Sequence, residues 1–374
     1  MKRLGIAVLA GAALAASGLS TTIARAADVT IAVAGPMTGD EAVGGEQLKR
    51  GAEQAVKDIN AKGGVLGKKL FLDVEDDACD PKQAVAVANK IASAGIKFVD
   101  GHYCSGSSIP ASAVYHDEGI IQITPGSTNP ALTEAAFAKG WKNVFRTCGR
   151  DDAQGKVAGE YLAEHYKDKK VAIIDDKSAY GAGLARETEK NFEAKGGKPT
   201  IVDQINPGEK DYSALVSKLN AAGIDVLYYG GYHAELALIT RQSREAGYKE
   251  TIISADDTPT AEFWKVTGPA GEGVMFTFAP DPRENPAAKS VVAEFKKQGF
   301  DPESYTLYSY AAVQVWSQAV TNAKSWKTTK IEAAIHGHSF NTVLGKLTLN
   351  QKGDIVDPKY VFYKWHDGNY AEMK

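Results

Sequence analysis

From about residue 29 onward, short apolar runs alternate with longer segments whose apolar residues recur every three or four positions. "VTIAVAGP" (29–36) is an unbroken apolar run of strand length. In "GEQLKRGAEQAVKDINAKGG", Leu48, Ala52, Ala55, Val56 and Ile59 share one helical face, and Gly63-Gly64 ends the helix. The pattern then predicts a strand over 69–77, a helix opened by Pro81 and closed by Gly95, and a strand at "IKFVDG" (96–101). A short helix over 108–119 and a strand over 120–125 follow. Strands that alternate with helices give a parallel sheet covered on both faces.

The same rhythm then restarts. "RDDAQGKVAGEYLAEHY", "YGAGLARETEKNFEAKGG", "DYSALVSKLNAAG" and "AELALITRQSREAG" read as helices. They alternate with strands at "KKVAIIDD", "PTIVDQI", "IDVLYYGG" and "TIISAD". "NKIASAGIKFVDGHY" (89–103) can be laid beside "SKLNAAGIDVLYYGGY" (217–232) with one gap, strand on strand and tyrosine on tyrosine. The chain is therefore expected to hold two similar doubly wound α/β lobes. Ligands of such sheets bind beyond the carboxyl ends of the strands, so two facing lobes make a cleft. From about Phe276 the order loosens. Helix-like segments stand at 287–299, 304–324 and 328–336, then a hairpin-like stretch "VLGKLTLNQKGDI" and a strand in "YVFYKWHDGNYAEM". Such a tail could return to the first lobe and then to the second, forming a hinge of several crossovers.

Length agrees with this division, since 374 residues suit about two domains. Charge is balanced, 43 Lys+Arg against 46 Asp+Glu, and no basic stripe appears, which argues against a nucleic-acid partner. The first residues carry a separate message. "MKRLGIAVLAGAALAASGLSTTIARA" has a basic start, a short apolar stretch and a small-x-small end at Ala24-Arg25-Ala26, the pattern of a cleaved secretory leader over 1–26. A soluble chain starting near Ala27 is expected, without a lipid anchor, in an oxidising compartment.

That compartment bears on the chemistry of "GHYCSGSSIPAS" (101–112). His102 lies beside Cys104, and Asp76 or Asp77 could orient the histidine, which would suit a Cys/Ser hydrolase. Cys79 stands at another strand end of the same lobe, so a Cys79–Cys104 disulfide competes with that reading and fits an exported protein better. Cys148 is left over as a partly buried free thiol without an assigned role. No G-x-S-x-G elbow, H-E-x-x-H, zinc spacing or phosphate loop occurs, and "YGAGLAR" (180–186) misses the dinucleotide fingerprint. No enzyme activity, cofactor or metal is expected.

Several residues suit holding a ligand instead. Ser105, Ser107 and Ser108 precede a helix whose amino end favours a carboxylate. "TPGSTNPALTE" (124–134) offers Thr128 and backbone carbonyls. The second lobe offers Tyr180, Tyr232 and the pair Asp256-Asp257. Each has a plainer explanation: the serines as helix caps, Asp256 as the cap of a helix near Thr260, the tyrosines as packing. Their shared place at strand ends of two facing lobes favours binding.

Together "DDACDPKQAVAVANK", "GHYCSGSSIPAS", "ITPGSTNP", "YGAGLAR", "GEKDYSALVSKL" and "YYGGYHAE" resemble the periplasmic leucine/isoleucine/valine-binding proteins, the substrate-binding components of branched-chain amino acid ABC transporters. The resemblance runs in order through the mature chain. It implies a type I periplasmic binding protein fold, with lobe 1 formed by 27–147 and 280–357 and lobe 2 by 148–279 and 358–374. It implies a monomer that binds a free hydrophobic L-amino acid and delivers it to an inner-membrane ABC permease in a Gram-negative bacterium. It pairs Cys79 with Cys104, sets Ser105 and Thr128 on the ligand's carboxylate, and sets the Gly126 carbonyl and Asp256 on its ammonium. Tyr180, Tyr232 and Tyr305 become the aromatic walls. Three positions depart from the family pattern: Gly44 where an aromatic is common, Gly126 where alanine is common, and Asp257 where a small residue is usual. They leave the bound side chain open to aromatic, basic or GABA-like alternatives, and leave open a sensing role for the same fold.

Overall fold

The computed structural model describes Met1 and residues 28–374, so the expected leader lies, Met1 apart, outside the described residues. The first sheet contains β1 (Val29–Gly35), β2 (Leu70–Asp76), β3 (Phe98–Gly101), β4 (Ile121–Thr124) and β5 (Val144–Arg146), all parallel, in the order β2-β1-β3-β4-β5. Every residue of β3, β4 and β5 is buried, as expected of a sheet with helices on both faces.

The second sheet repeats that plan. β6 (Val171–Asp175), β7 (Ile201–Gln204), β8 (Val226–Gly230), β9 (Thr251–Ser254) and β10 (Met275–Phe278) run parallel in the order β7-β6-β8-β9-β10. Position for position this is the order of the first sheet, so the internal similarity in the sequence corresponds to two lobes of one topology.

The chain passes between the lobes three times. After β5 it enters helix Asp151–Tyr166, which packs on helix Ala179–Ala194 of the second lobe. After β10 it returns, and helix Thr306–Ala323 packs on helix Ala42–Ala61 of the first. A hairpin, β11 (Ser339–Thr342) with β12 (Gly345–Thr348), follows. Its turn lies at Val343-Leu344, at the start of the stretch predicted as a hairpin rather than within it. The loop beyond it reaches the outer edge of β5, where the Arg146 N–H donates to the Gly353 carbonyl at 2.9 Å. The buried Arg146 guanidinium pairs with Asp354 at 2.8 Å. The tail then adds two antiparallel strands to β10, β13 (Val361–His366) and β14 (Asn369–Glu372), where the sequence suggested one strand. Asp367 and Gly368, both at positive φ, make the tight turn between them.

Three short elements are absent from the sequence prediction: helix Ala131–Ala138, β5 and β10. Each is four residues or fewer, or lies between turn residues, too short for a period to register. The helix predicted over 108–119 spans Ser105–Asp117. Cys104 is its N-cap residue and Ser105 its first residue, so the serines stand inside the first turn rather than before it.

Candidate functional site

Seven residues singled out in the sequence line one small cavity between the lobes: Ser105, Gly126, Tyr180, Tyr232, Asp256, Asp257 and Tyr305. Tyr103 completes the lining, and the space left between these side chains is about 10 Å³, room for roughly one water. Ligand pockets run to roughly 300–1,000 Å³, so a metabolite would enter here only with the lobes parted.

Lobe 1 contributes through two neighbouring strand ends. β3 runs into His102-Tyr103-Cys104 and then directly into helix Ser105–Asp117. β4 runs into the loop that carries Gly126 and Thr128. Thr124 Oγ1 donates to the His102 carbonyl at 2.6 Å, and Ser127 Oγ reaches Ser108 Oγ at 2.7 Å, so the two loops are bonded together. The Cys79–Cys104 disulfide, with Cα atoms 5.6 Å apart, fixes the base of the helix from a third strand end. Ser105 Oγ accepts the Asn129 N–H at 3.2 Å, which leaves its own proton for another acceptor. Thr128 does not line the cavity. It is fully buried.

Lobe 2 supplies the acid. Asp256 is 2 % exposed and accepts from the Tyr180 hydroxyl at 2.7 Å and from the Tyr305 hydroxyl. Burial pushes its carboxyl above the usual range, and the two tyrosine hydrogen bonds oppose that. Asp256 caps no helix: Thr260 Oγ1 does so for helix Ala261–Thr267, accepting the Phe263 N–H at 3.2 Å. Tyr180 and Tyr232 lie 5.1 Å apart, centroid to centroid. Tyr232 directly precedes helix His233–Glu245, as Cys104 precedes the helix in lobe 1.

The structure adds three residues that sequence reasoning did not place at the site: Tyr103, Glu41 and His233. Asp257 accepts from the Tyr103 hydroxyl, from the His233 backbone N–H at 2.7 Å and from His233 Nδ1 at 2.7 Å. Glu41 of lobe 1 stands 3.3 Å from the same imidazole. Burial holds the Glu41 carboxyl up to about 8, partly offset by His233. Burial alone would lower the His233 pKa, but the Glu41 and Asp257 carboxylates outweigh it and hold the ring charged well above its ordinary value. The pairing of Tyr103 with Tyr232 in the repeat was the one sequence signal that could have located Tyr103. Glu41 and His233 are single charged residues with no pattern around them.

The hydrolase reading does not survive the geometry. His102 does meet Asp77, at 2.5 Å, but its other ring nitrogen bonds the Tyr115 hydroxyl at 2.8 Å in the fully buried interior. Cys104 is in the disulfide, so no thiol faces that histidine. Cys148 is buried, and burial raises its thiol to about 12.

The arrangement is thus a closed, polar-ended and aromatic-walled cavity between two α/β lobes, without an activated nucleophile among the described residues. Comparison with known proteins agrees. The family model for periplasmic binding proteins matches residues 28–369. A Leu/Ile/Val-binding protein homologue of Brucella suis is 49 % identical over 343 residues, 91 % of each chain. A Pseudomonas aeruginosa protein named for binding leucine, isoleucine, valine, threonine and alanine is 40 % identical over 365 residues, 97 % of each chain. The crystal structure of a leucine-binding protein from Thermotoga maritima superposes with a TM-score of 0.83 at 27 % identity, covering 92 % of this chain and 98 % of that one. These relatives are binding proteins rather than enzymes, and by this similarity and its two-lobed fold the chain belongs to the Leu/Ile/Val-binding proteins of the periplasmic binding protein family.

Proposed function

We propose that the protein is the substrate-binding component of an ABC transporter and traps a free branched-chain or other hydrophobic L-amino acid between its lobes. One observation carries this reading: a buried carboxylate, a serine hydroxyl at a helix amino end and tyrosines from both lobes meet around one small cavity between the lobes. In this reading the ligand's carboxylate docks on Ser105 and the first turn of helix Ser105–Asp117. The ammonium lies between the Gly126 carbonyl and Asp256. Tyr180, Tyr232 and Tyr305 exclude water around it.

Closure follows from where these groups sit. Ser105, Gly126 and Thr128 belong to the first lobe, and Asp256, Tyr180 and Tyr232 to the second. A ligand that contacts both lobes favours the closed form only through the contacts the open form lacks. The three passages of chain between the sheets would serve as the hinge, dividing lobe 1 (27–147 with 280–357) from lobe 2 (148–279 with 358–374). The closed protein would present its ligand, as a monomer, to a membrane permease. The leader over 1–26 would place it in the periplasm of a Gram-negative cell. The names of its relatives support the amino-acid class.

A thermal-shift panel of the common amino acids and GABA tests this, on protein unfolded and refolded to strip carried-over ligand. A true ligand at a hundred times its Kd adds about 2.7 kcal/mol to stability. A shift with aliphatic amino acids is expected. No shift with any amino acid would overturn the reading.

A further inference from the structure

Gly44, Gly126 and Asp257 are distant in sequence, yet all three meet at one side chain. A Cβ added to Gly44 would lie 2.6 Å from Cζ of Tyr103, and one added to Gly126 would lie 3.0 Å from its Cδ2. Only hydrogen fits at position 44 while this ring is in place. On another side the ring packs edge-on against Tyr305, 5.7 Å between centroids at 83°. Its hydroxyl donates to Asp257, so the ring is fixed at its face, its edge and its tip.

Asp257 has little capacity left for a ligand. One oxygen accepts from Tyr103, and the other accepts both the backbone N–H and the Nδ1 of His233. The imidazole is itself flanked by Glu41 at 3.3 Å. The second carboxylate therefore holds a phenol in position and is balanced by a histidine. It is not a free counter-ion for a basic side chain.

With the carboxylate end assigned to Ser105 and the ammonium end to Asp256, Tyr180 and Tyr305 are tied to the ammonium end by their contacts with Asp256. The cavity lining that remains for the ligand's side chain is Tyr103, Tyr232 and Asp257. We propose that Tyr103 is the specificity-determining residue of the site. Seated by two glycines and held by Asp257, it shortens the side-chain compartment and ends it with a hydroxyl, selecting short neutral side chains (valine, threonine, alanine) over leucine, aromatic and basic ones. This rests on the amino-acid reading above. The phenolic oxygen donates to Asp257 and keeps a lone pair, so it accepts a hydrogen bond from a threonine hydroxyl. A longer aliphatic chain would have to displace a ring confined on three sides.

The test is calorimetric titration of the refolded full-length mature protein with valine, threonine, leucine and arginine, for wild type, Tyr103→Phe and Tyr103→Leu. Wild type should bind valine and threonine at least about tenfold tighter than leucine, since one methylene is worth about 10–200-fold in a fitted pocket. Arginine should give no binding. Tyr103→Phe keeps the ring and should weaken threonine about tenfold relative to valine. Tyr103→Leu should raise leucine relative to valine by about tenfold or more. A wild type that prefers leucine, or a leucine-to-valine ratio unmoved in Tyr103→Leu, refutes the assignment while leaving the amino-acid reading intact. If Tyr103→Leu does not fold, an unchanged threonine-to-valine ratio in Tyr103→Phe refutes it alone. No binding of any amino acid by wild type would sink both readings together.

Discussion

Asp256 offers the sharpest test of the site, because its two roles pull in opposite directions. Ligand-free, it is a carboxylate 2 % exposed with two phenol donors and no cation among its hydrogen-bond partners. Burial raises its pKa, so holding it charged works against folding. With an amino acid bound, the same carboxylate faces an ammonium. Asp256→Asn keeps the shape, still accepts from one tyrosine and removes the charge. The ligand-free variant should therefore be as stable as wild type or more so. The complex should be weaker by the cost of unpairing a buried ion, on the order of 3–5 kcal/mol, or at least about a hundredfold in Kd. In a thermal shift run at a hundred times the wild-type Kd, the ligand-induced stabilisation should fall from about 2.7 to about 0.4 kcal/mol. Calorimetry gives the same quantity directly. A Kd within threefold of wild type would mean that Asp256 does not hold the ammonium, and the ligand orientation proposed here would be wrong.

The remaining predictions concern other parts of the same machinery. Ser105→Ala should weaken binding about tenfold, less than Asp256→Asn, because the backbone N–H groups of the helix amino end remain as donors; a loss as large as that of Asp256→Asn would show that Ser105 alone holds the carboxylate. Thiol titration of the denatured protein should find one free cysteine before reduction and three after, and Cys104→Ser should lower stability by about 3 kcal/mol by opening a cross-link between residues 25 apart. Stability should fall as pH rises from about 6 to above 8. Glu41 binds its proton up to about 8 in the folded chain but loses it near 4.5 when unfolded, and His233 likewise holds its proton above its unfolded value. The folded state thus binds more protons through this window, and Glu41→Gln should flatten the slope of Tm against pH; a slope of the opposite sign would exclude the cluster as its source.

The sequence made the architecture legible because buried parallel strands are near-continuous apolar runs. "VAIID" and "VLYYG" stand out between amphipathic helices whatever else the protein does. The site was legible in parts, since Ser105, Gly126 and Asp256 stand within a few residues of strand ends and Tyr180 stands in the first turn of the helix after β6. Residues defined only by their neighbours stayed hidden. Tyr103 looks like packing until Gly44 and Gly126 are seen to leave room for it. Asp257 looks like a free ligand acid until His233, 24 residues earlier, is seen to engage it. Helix Ser105–Asp117 begins earlier than predicted because its N-cap residue, Cys104, makes no side-chain capping bond and carries no capping signature.

The tail after residue 349 has a consequence for how the molecule is made. It closes the outer edge of one sheet by the Arg146–Gly353 bond and extends the edge of the other through β13 on β10. Open strand edges are templates for wrong pairing between chains. A polypeptide emerging amino end first would therefore carry both lobes with bare edges until its final 25 residues arrived. Those residues touch no part of the cavity, yet a truncation that spared every binding group would leave a sticky molecule, and solubility rather than affinity would be the first property lost.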